Sequence, residues 1–408
     1  MPTRPGVLII VENLTVPLDS RVLQEAQGLR DAGYTVSVIC PKAPSYPANY
    51  EVLDGIHIFR HSMPFEADGC IGYALEYGWA LLCEAYLSVK VQWKVGFSVI
   101  QGCNPPDLIF LIAGVWKLLA GTKFVFDHHD INPELFEAKF GRKGWLHWLL
   151  TKFERATFQT ADVSIATNDT FKKIAVERGK MAPEDVFVVR SIPDLSRFKR
   201  LPSHKRFHNN RTFVAGYLGI MGAQDGVDLF IEGMAHLIQQ HSRHDIQAVI
   251  VGSGTELPKL RALAEKLEIE DFVTFTGFMS GQPLLEILSS FDIGIIPDPK
   301  NGYNDKISMN KIFEYMTLGI PFVQFDLIEG RAIAGDAALY AQNNSPIGLA
   351  EKIAALADDA SLRDDLAAKG KARANRLLSW ENERAALLAA YDRALAPQVE
   401  QAGVPAQL

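Results

Sequence analysis

"GVLIIVENLTVPLDSRVLQEAQGLRDAGYTVSVIC", residues 6–40, decides the fold. It opens on an unbroken apolar run, Gly6 to Val11, passes through a helical pattern, and returns to a second β-branched run, Thr35 to Cys40. Between the runs, Asp19 or Ser20 can accept from the free N–H groups that begin a helix. Val22, Leu23, Ala26 and Leu29 then form one stripe, and Gly33 stops it. A strand whose apolar residues do not alternate with polar ones is covered on both faces, so two such strands around one helix predict a parallel βαβ unit.

The alternation continues through "SVIQGC" (Ser98 to Cys103), "KFVFD" (Lys123 to Asp127), "VSIAT" (Val163 to Thr167) and "VFVVR" (Val186 to Arg190). It breaks at "SRFKRLPSHKRFHNNR", Ser196 to Arg211, a basic, polar segment that reads as a linker. A second series follows: "FVAGYLG" (Phe213 to Gly219), "QAVIVGSG" (Gln247 to Gly254), "FVTFTG" (Phe272 to Gly277), "IGIIP" (Ile293 to Pro297) and "PFVQF" (Pro321 to Phe325). Beyond Ala350 the pattern is mostly helical, closing on the amphipathic "SWENERAALLAAYDRAL", Ser379 to Leu395, with a frayed tail after it. A chain of 408 residues is too long for one ordinary core. The α/β pattern therefore predicts two Rossmann-like doubly wound domains, 1–195 and 196–378, with the helix 379–395 closing the chain.

A net charge of −7, with 48% hydrophobic and 22% charged residues, describes a well-filled globular protein and argues against nucleic acid as a partner. Cys40, Cys70, Cys83 and Cys103 show no metal-ligand spacing and read as buried free thiols. The apolar runs "VLIIV" and "LIFLIAGVWKLLAG" (Leu108 to Gly121) are too short to span a bilayer, so a cytoplasmic location is expected.

Ligands of doubly wound sheets bind beyond the C-terminal ends of the strands. There, "NDKISMNKIFEYMTLGIPFVQFD", Asn304 to Asp326, sets Lys306 and Lys311 around a helix start near Asn310. Free N–H groups and two cations suit a diphosphate, and Glu314 one turn on can accept from a ribose diol. Solvated lysines on an ordinary helix are the plainer reading. "FDHHDINPELFEAKFG", Phe126 to Gly141, crowds Asp127, His128, His129, Asp130 and Glu134 at another strand end. Adjacent histidines make a poor chelate, and a hydrogen-bonded loop cluster that supports the fold is the plainer reading. Gly252, Ser253 and Gly254 form a strand-end turn of the kind that lets backbone approach a ligand.

These segments, in this order from about Gly6 to Leu395, resemble the GT-B glycosyltransferases of family 4. "KIFEYMTLGIPFVQFD" is similar to the family's donor-binding E-x7-E segment, with Glu314 at the second glutamate and Lys306 at the place of the first. "GYLGIMGAQDGVDLFIEGM", Gly216 to Met234, resembles the phosphate-clamping segment, but Asp225 stands where a lysine is expected. The resemblance implies two facing domains of GT-B architecture, the closing helix returning to the first. It implies a nucleotide-sugar donor held by Gly219, Gly222, Gly252, Ser253, Gly277, Phe278, Lys306, Asn310, Lys311 and Glu314. His129 and Asp130 would act on transfer, and Arg21, His128 and Glu134 would meet a saccharide or lipid-linked acceptor. It further implies anomeric retention without a metal or other cofactor, and no D-x-D motif ends a strand. A sugar-nucleotide epimerase, a phosphorylase and a non-catalytic sugar-nucleotide binder are the alternatives.

Two stretches bear on partners. "GRKGWLHWLLTKFERATF", Gly141 to Phe158, has a wide apolar face flanked by Arg142, Lys152 and Arg155, which suits either a membrane surface or the sheet. "GYALEYGWALLCEAYLSVKVQW", Gly72 to Trp93, is apolar nearly all round and reads as core.

Overall fold

The structure, a computed structural model, describes residues 4–63, 69–141, 143–192, 198–377 and 379–397. Arg142, Ser196 and Arg197, the side chain of Cys70 and the tail from residue 398 lie outside that description. The chain forms two compact units, one of Met1–Asn132, Leu149–Arg190 and Glu381–Leu408, the other of Pro133–Trp148 and Ser191–Trp380.

The first unit is built on an eight-stranded sheet: β1 (Gly6–Val11), β2 (Thr35–Pro41), β3 (Tyr50–Leu53), β4 (Ile56–His61), β5 (Val99–Cys103), β6 (Lys123–His128), β7 (Val163–Ala166) and β8 (Val186–Val188). Their order is β3-β4-β2-β1-β5-β6-β7-β8, and every pair but β3/β4 is parallel. Val7, Leu8, Ile9 and Ile10 of β1 are wholly buried, as a strand covered on both faces requires. The β3/β4 hairpin was not anticipated, although "YEVLDGIHIFRH" carries its signal. Asp54 and Gly55 both take positive φ, 48° and 80°, the turn that Asp-Gly suits best.

The Ser20–Asp31 helix starts as its sequence predicts, with Asp19 Oδ1 accepting from Val22 N at 3.0 Å. Its buried face holds Arg21 and Glu25 as well as Val22, Ala26 and Leu29, so an ionic pair is carried into the core. The closing helix, Trp380–Leu395, falls in the first unit. Tyr391 on it is buried and donates to Gln101 Oε1 of β5 at 2.6 Å, while Glu383 accepts from Arg190 N at 2.6 Å.

The second unit carries a six-stranded, wholly parallel sheet: β9 (Phe213–Leu218), β10 (Ile246–Val251), β11 (Val273–Gly277), β12 (Ile293–Ile296), β13 (Phe322–Phe325) and β14 (Ala338–Ala341). Its order is β11-β10-β9-β12-β13-β14, so the direction of winding reverses at β9 as it does at β1. Crevices for ligands open at such reversals.

One helix differs from its sequence reading. The Gly69–Lys94 helix, read as core, buries Ala80, Glu84, Leu87 and Val91 but exposes Trp79, Leu82, Tyr86 and Trp93. The Trp145–Thr160 helix buries Glu154, Thr157 and Phe158 and leaves Trp145 and Trp148 exposed. Cys40 and Cys103 are buried free thiols, and Cys83 is half-buried. Among the described residues no helix is long and apolar enough to cross a membrane.

Candidate functional site

In the first unit the loop after β6 is fastened by one side chain. Asn104, just past the end of β5, accepts through Oδ1 from His129 N (2.7 Å) and Asp130 N (3.1 Å). Its Nδ2 donates to Asp130 O (2.6 Å) and Asp107 Oδ1 (3.0 Å). The amide thus replaces the strand pairing that the backbone of residues 129–130 has left. Asp130 turns inward to accept from Ile131 N at 2.8 Å.

His129 is set by ions beneath it. Its Nε2 lies 2.5 Å from Asp127 Oδ2 and 3.0 Å from Arg21 Nε. Arg21 also reaches Asp127 Oδ1 (2.8 Å), Glu25 Oε1 (3.1 Å) and Val189 O (2.8 Å). Burial works against charge on Asp127, but Arg21 and His129 outweigh it and hold the carboxyl far below its ordinary range. Burial pushes Glu25 well up, Asp127 adding to it against the pull of Arg21. Two carboxyls pushed in opposite directions therefore share one guanidinium. Nε2 can donate to the ionised Asp127 or accept from Arg21 Nε, and in the tautomer that donates to Asp127 the lone pair of the ring lies on Nδ1. Nδ1 makes no hydrogen bond among the described residues.

Cys103, Asp127 and His129 are close enough to hold a metal ion. The donor set does not suit one: Arg21 already supplies the positive charge on Asp127, and burial with Asp127 nearby pushes the Cys103 thiol well up, away from thiolate. His128, expected to meet an acceptor, is instead fully buried among Phe126, Phe158 and Phe171. Side chains at a strand end alternate in direction, so His129 faces the loop while His128 supports it from inside. Arg21 is 7% exposed, and its donors are engaged within the unit, which makes it a fastening for the loop rather than a hand held out to an acceptor.

In the second unit the loops after β9, β10 and β11 are laced together by backbone. Gly219 N donates to Val251 O, Met221 N to Ser253 O and Gly252 N to Gly277 O, each at 3.0 Å. Gly252 has φ 134°, and a Cβ there would stand 1.8 Å from Gly219 O, so these loops meet only because the residue is glycine. Gly222 N donates to Asp225 Oδ2 at 2.8 Å. Asp225, standing where the resemblance expects a lysine, thus closes a turn. Beyond Gly277, Phe278 is 76% exposed, a ring offered to solvent at a strand end.

After β12, Asp298 is buried and accepts from Lys311 Nζ at 2.7 Å, with the ammonium 4.7 Å from the centre of the Tyr217 ring. Lys311 is therefore a neutralised, internal cation, which departs from its expected part as a free phosphate ligand. Lys306 is ion-paired to Glu134 at 2.8 Å, both within the second unit, so the two charges assigned to phosphate and acceptor offset each other. The Asn310–Leu318 helix begins without a side-chain cap at Met309, leaving its first N–H groups for a ligand or water. Asn310 is exposed at its first position. Glu314 in its second turn is half-buried and makes no hydrogen bond among the described residues. Burial pushes its carboxyl up to about 7, against the pull of Lys311. Asn104 and Asp298 were missed in the sequence; their only signals were their places, one and two residues past a strand end.

Two parallel, doubly wound units with the closing helix in the first make up the GT-B architecture. The family profile described as "Glycosyl transferase 4-like domain" matches residues 18–191, and that described as "Glycosyl transferases group 1" matches residues 212–359. Together they span well over half of the chain, which belongs to the GT-B glycosyltransferases of this group. Over 171 residues it is 29% identical to alpha-D-kanosaminyltransferase of Streptomyces kanamyceticus, covering 41% of this chain and 42% of that protein. The match thus spans less than half the length of that curated relative. Among solved structures, sucrose-phosphate synthase from Thermosynechococcus elongatus superposes with a TM-score of 0.78 at 16% identity, over 96% of this chain and 99% of that one. HepE of Anabaena in complex with UDP-glucose does so with a TM-score of 0.70 at 14% identity, over 95% and 100%. At such identities the likeness is one of fold.

Proposed function

We propose that the protein is a retaining, metal-independent glycosyltransferase. It would move a sugar from a nucleoside-diphosphate sugar to a saccharide or lipid-linked saccharide in cell-surface polysaccharide synthesis, working in the cytoplasm at or near the membrane. The observation that carries this reading is Glu314: an unpartnered, half-buried carboxyl in the second turn of an uncapped helix, on the unit whose glycine loops meet beyond the strand ends. In this reading Glu314 accepts from the ribose, the Asn310–Leu318 N-terminus faces the diphosphate, and Phe278 and Gly277 flank the base. His129 presents Nδ1 to a sugar or acceptor hydroxyl, and Asp130 supports it. The domain limits 1–195 with 379–395, and 196–378, remain the working division into acceptor and donor halves.

The test is nucleotide binding by calorimetry, with UDP-glucose as the first probe because HepE binds it. Glu314→Ala should weaken binding about tenfold or more, since a hydrogen bond to a charged group contributes roughly 1.5–3 kcal/mol. The carboxylate must be ionised to accept both ribose hydroxyls. With the free carboxyl near 7, wild-type affinity should fall as pH drops below that value and level off above it, and Glu314→Gln should flatten the profile. Unchanged affinity in Glu314→Ala removes the assignment. One observation favours a second reading: the pairing of Lys311 with Asp298 and the turn-closing Asp225 leave little free positive charge for a departing diphosphate, as in a non-catalytic binder. Release of nucleoside diphosphate only when an acceptor is supplied decides for transfer.

Membrane contact is assigned to the Trp145–Thr160 helix, on which Trp145 and Trp148 are exposed beside exposed Lys152 and Arg155. Each basic residue near an anionic surface contributes about 1 kcal/mol. Wild type should float with anionic vesicles at low salt, and Trp145→Ser with Trp148→Ser should not. A double variant that floats as well as wild type removes the helix from that role.

A further inference from the structure

We propose that the outer face of the Gly69–Lys94 helix is an interface with a second copy of this chain, the two helices running antiparallel. Six apolar side chains, Leu75, Trp79, Leu82, Tyr86, Val89 and Trp93, are exposed along it. Their spacings of four, three, four, three and four residues follow the 3.5-residue repeat of a helix that packs against another helix. The opposite face, with Ala80, Leu87 and Val91, is already spent on the first unit's own core, so the outer stripe is additional to what the fold needs. Leu82 is 69% and Trp93 90% exposed, and an unbroken apolar row of this length on a soluble surface marks a binding site. The neighbouring Phe110–Ala120 helix, joined to it by Trp116 Nε1 donating to Ser88 Oγ at 2.9 Å, widens the face with exposed Val115, Leu118 and Leu119.

The sequence along the stripe selects the occupant. Turned antiparallel about a two-fold axis at residue 84, Leu75 meets Trp93 of the second copy, Trp79 meets Val89, and Leu82 meets Tyr86. Each layer sets a ring against an aliphatic side chain, so the interface alternates large and small without a clash of two large groups. The flank beside the stripe carries Glu76 and Lys90, which form no ion pair among the described residues. In the antiparallel order this flank faces itself, and Glu76 of each copy comes within a turn of Lys90 of the other. The other flank is Gly78, Ala85 and Gln92, which carry no charge. A parallel pair would set charged flank against neutral flank and gain nothing, so the charges choose the antiparallel order. A lipid surface would favour a cationic flank instead of one that mixes Glu76 with Lys90.

The interface does not depend on the proposed transferase activity. Sedimentation velocity of the full chain at micromolar concentrations should give twice the 45.2 kDa of one chain. Glu76→Lys and Lys90→Glu, each placing two like-charge pairs in the dimer, should each weaken it about tenfold. The two changes together restore the pairing and should restore the dimer. Leu82→Asp should leave a monomer with unaltered circular dichroism, because the side chain is exposed. A wild type that stays monomeric overturns the proposal, and one that is monomeric but floats with anionic vesicles assigns the face to lipid instead. A double variant that dimerises no better than either single one overturns the antiparallel order.

Discussion

Arg21→Met should destabilise the first unit by about 3–5 kcal/mol, the loss seen when one partner of a buried ion pair is removed. Arg21 is the shared partner of Asp127, Glu25, His129 and Val189 O. Without it Asp127 is an ion in the core with no guanidinium, held by the His129 ring, the Gln101 amide and the Cys103 thiol. For a unit of this size that loss lowers the unfolding midpoint by roughly ten degrees. The pH dependence has a definite sign. Asp127 is held below the ordinary carboxylate value of 3.8, so its contribution is present above that pH and is lost as pH falls through the lower, folded value. The variant should lose stability at neutral pH and little in strong acid. Adding Asp127→Asn removes the stranded charge and should recover part of the loss, whereas a leucine-like core role for Arg21 predicts no recovery. Thermal melts of the four proteins at pH 7 decide it, and wild-type stability in Arg21→Met would show that the network carries no net stabilisation.

The same network shows what the sequence could and could not reveal. The βα rhythm of residues 6–40 and its repetitions are local, because each strand and helix advertises its own burial, and eleven of the strands stand where those runs predict them. The hairpin of β3 and β4 was equally legible through Asp54-Gly55, but Glu51, His57, Arg60 and His61 within its strands break the continuous apolar pattern that marks the others. β14, "ALYA", is four residues long and carries no β-branched residue; only its pairing with β13 makes it a strand. For the site, the sequence brought forward His129 and Glu314 by position in a motif. It could not say which charges cancel. Lys311 with Asp298 and Lys306 with Glu134 pair across 13 and 172 residues, and only the fold brings such groups within reach. Burial of His128 beside the partly exposed His129 likewise depends on which way β6 faces as it ends.

His129→Ala should lower turnover by about 10²–10⁴-fold, the range for loss of a group that moves or steers a proton, while leaving nucleotide affinity near wild type. The ring is fixed from below: Nε2 meets Asp127 and Arg21, Asn104 holds the backbone, and Nδ1 is left to act, as an acceptor in the tautomer that donates to Asp127. Affinity should hold because the residues assigned to the nucleotide belong to the second unit and His129 to the first. A more discriminating variant is Asp127→Asn. It keeps the shape of the side chain, but an amide can donate to Nε2 and so draw the hydrogen of the neutral ring to Nδ1, turning the acting nitrogen from acceptor to donor. If Nδ1 serves as an acceptor during transfer, Asp127→Asn should lose turnover nearly as fully as His129→Ala, and the double variant should be no worse than either. Single-turnover rates with saturating donor make the comparison free of binding. Near-normal turnover in Asp127→Asn, beside a large loss in His129→Ala, would mean that the ring contributes by contact alone and that its tautomer is immaterial.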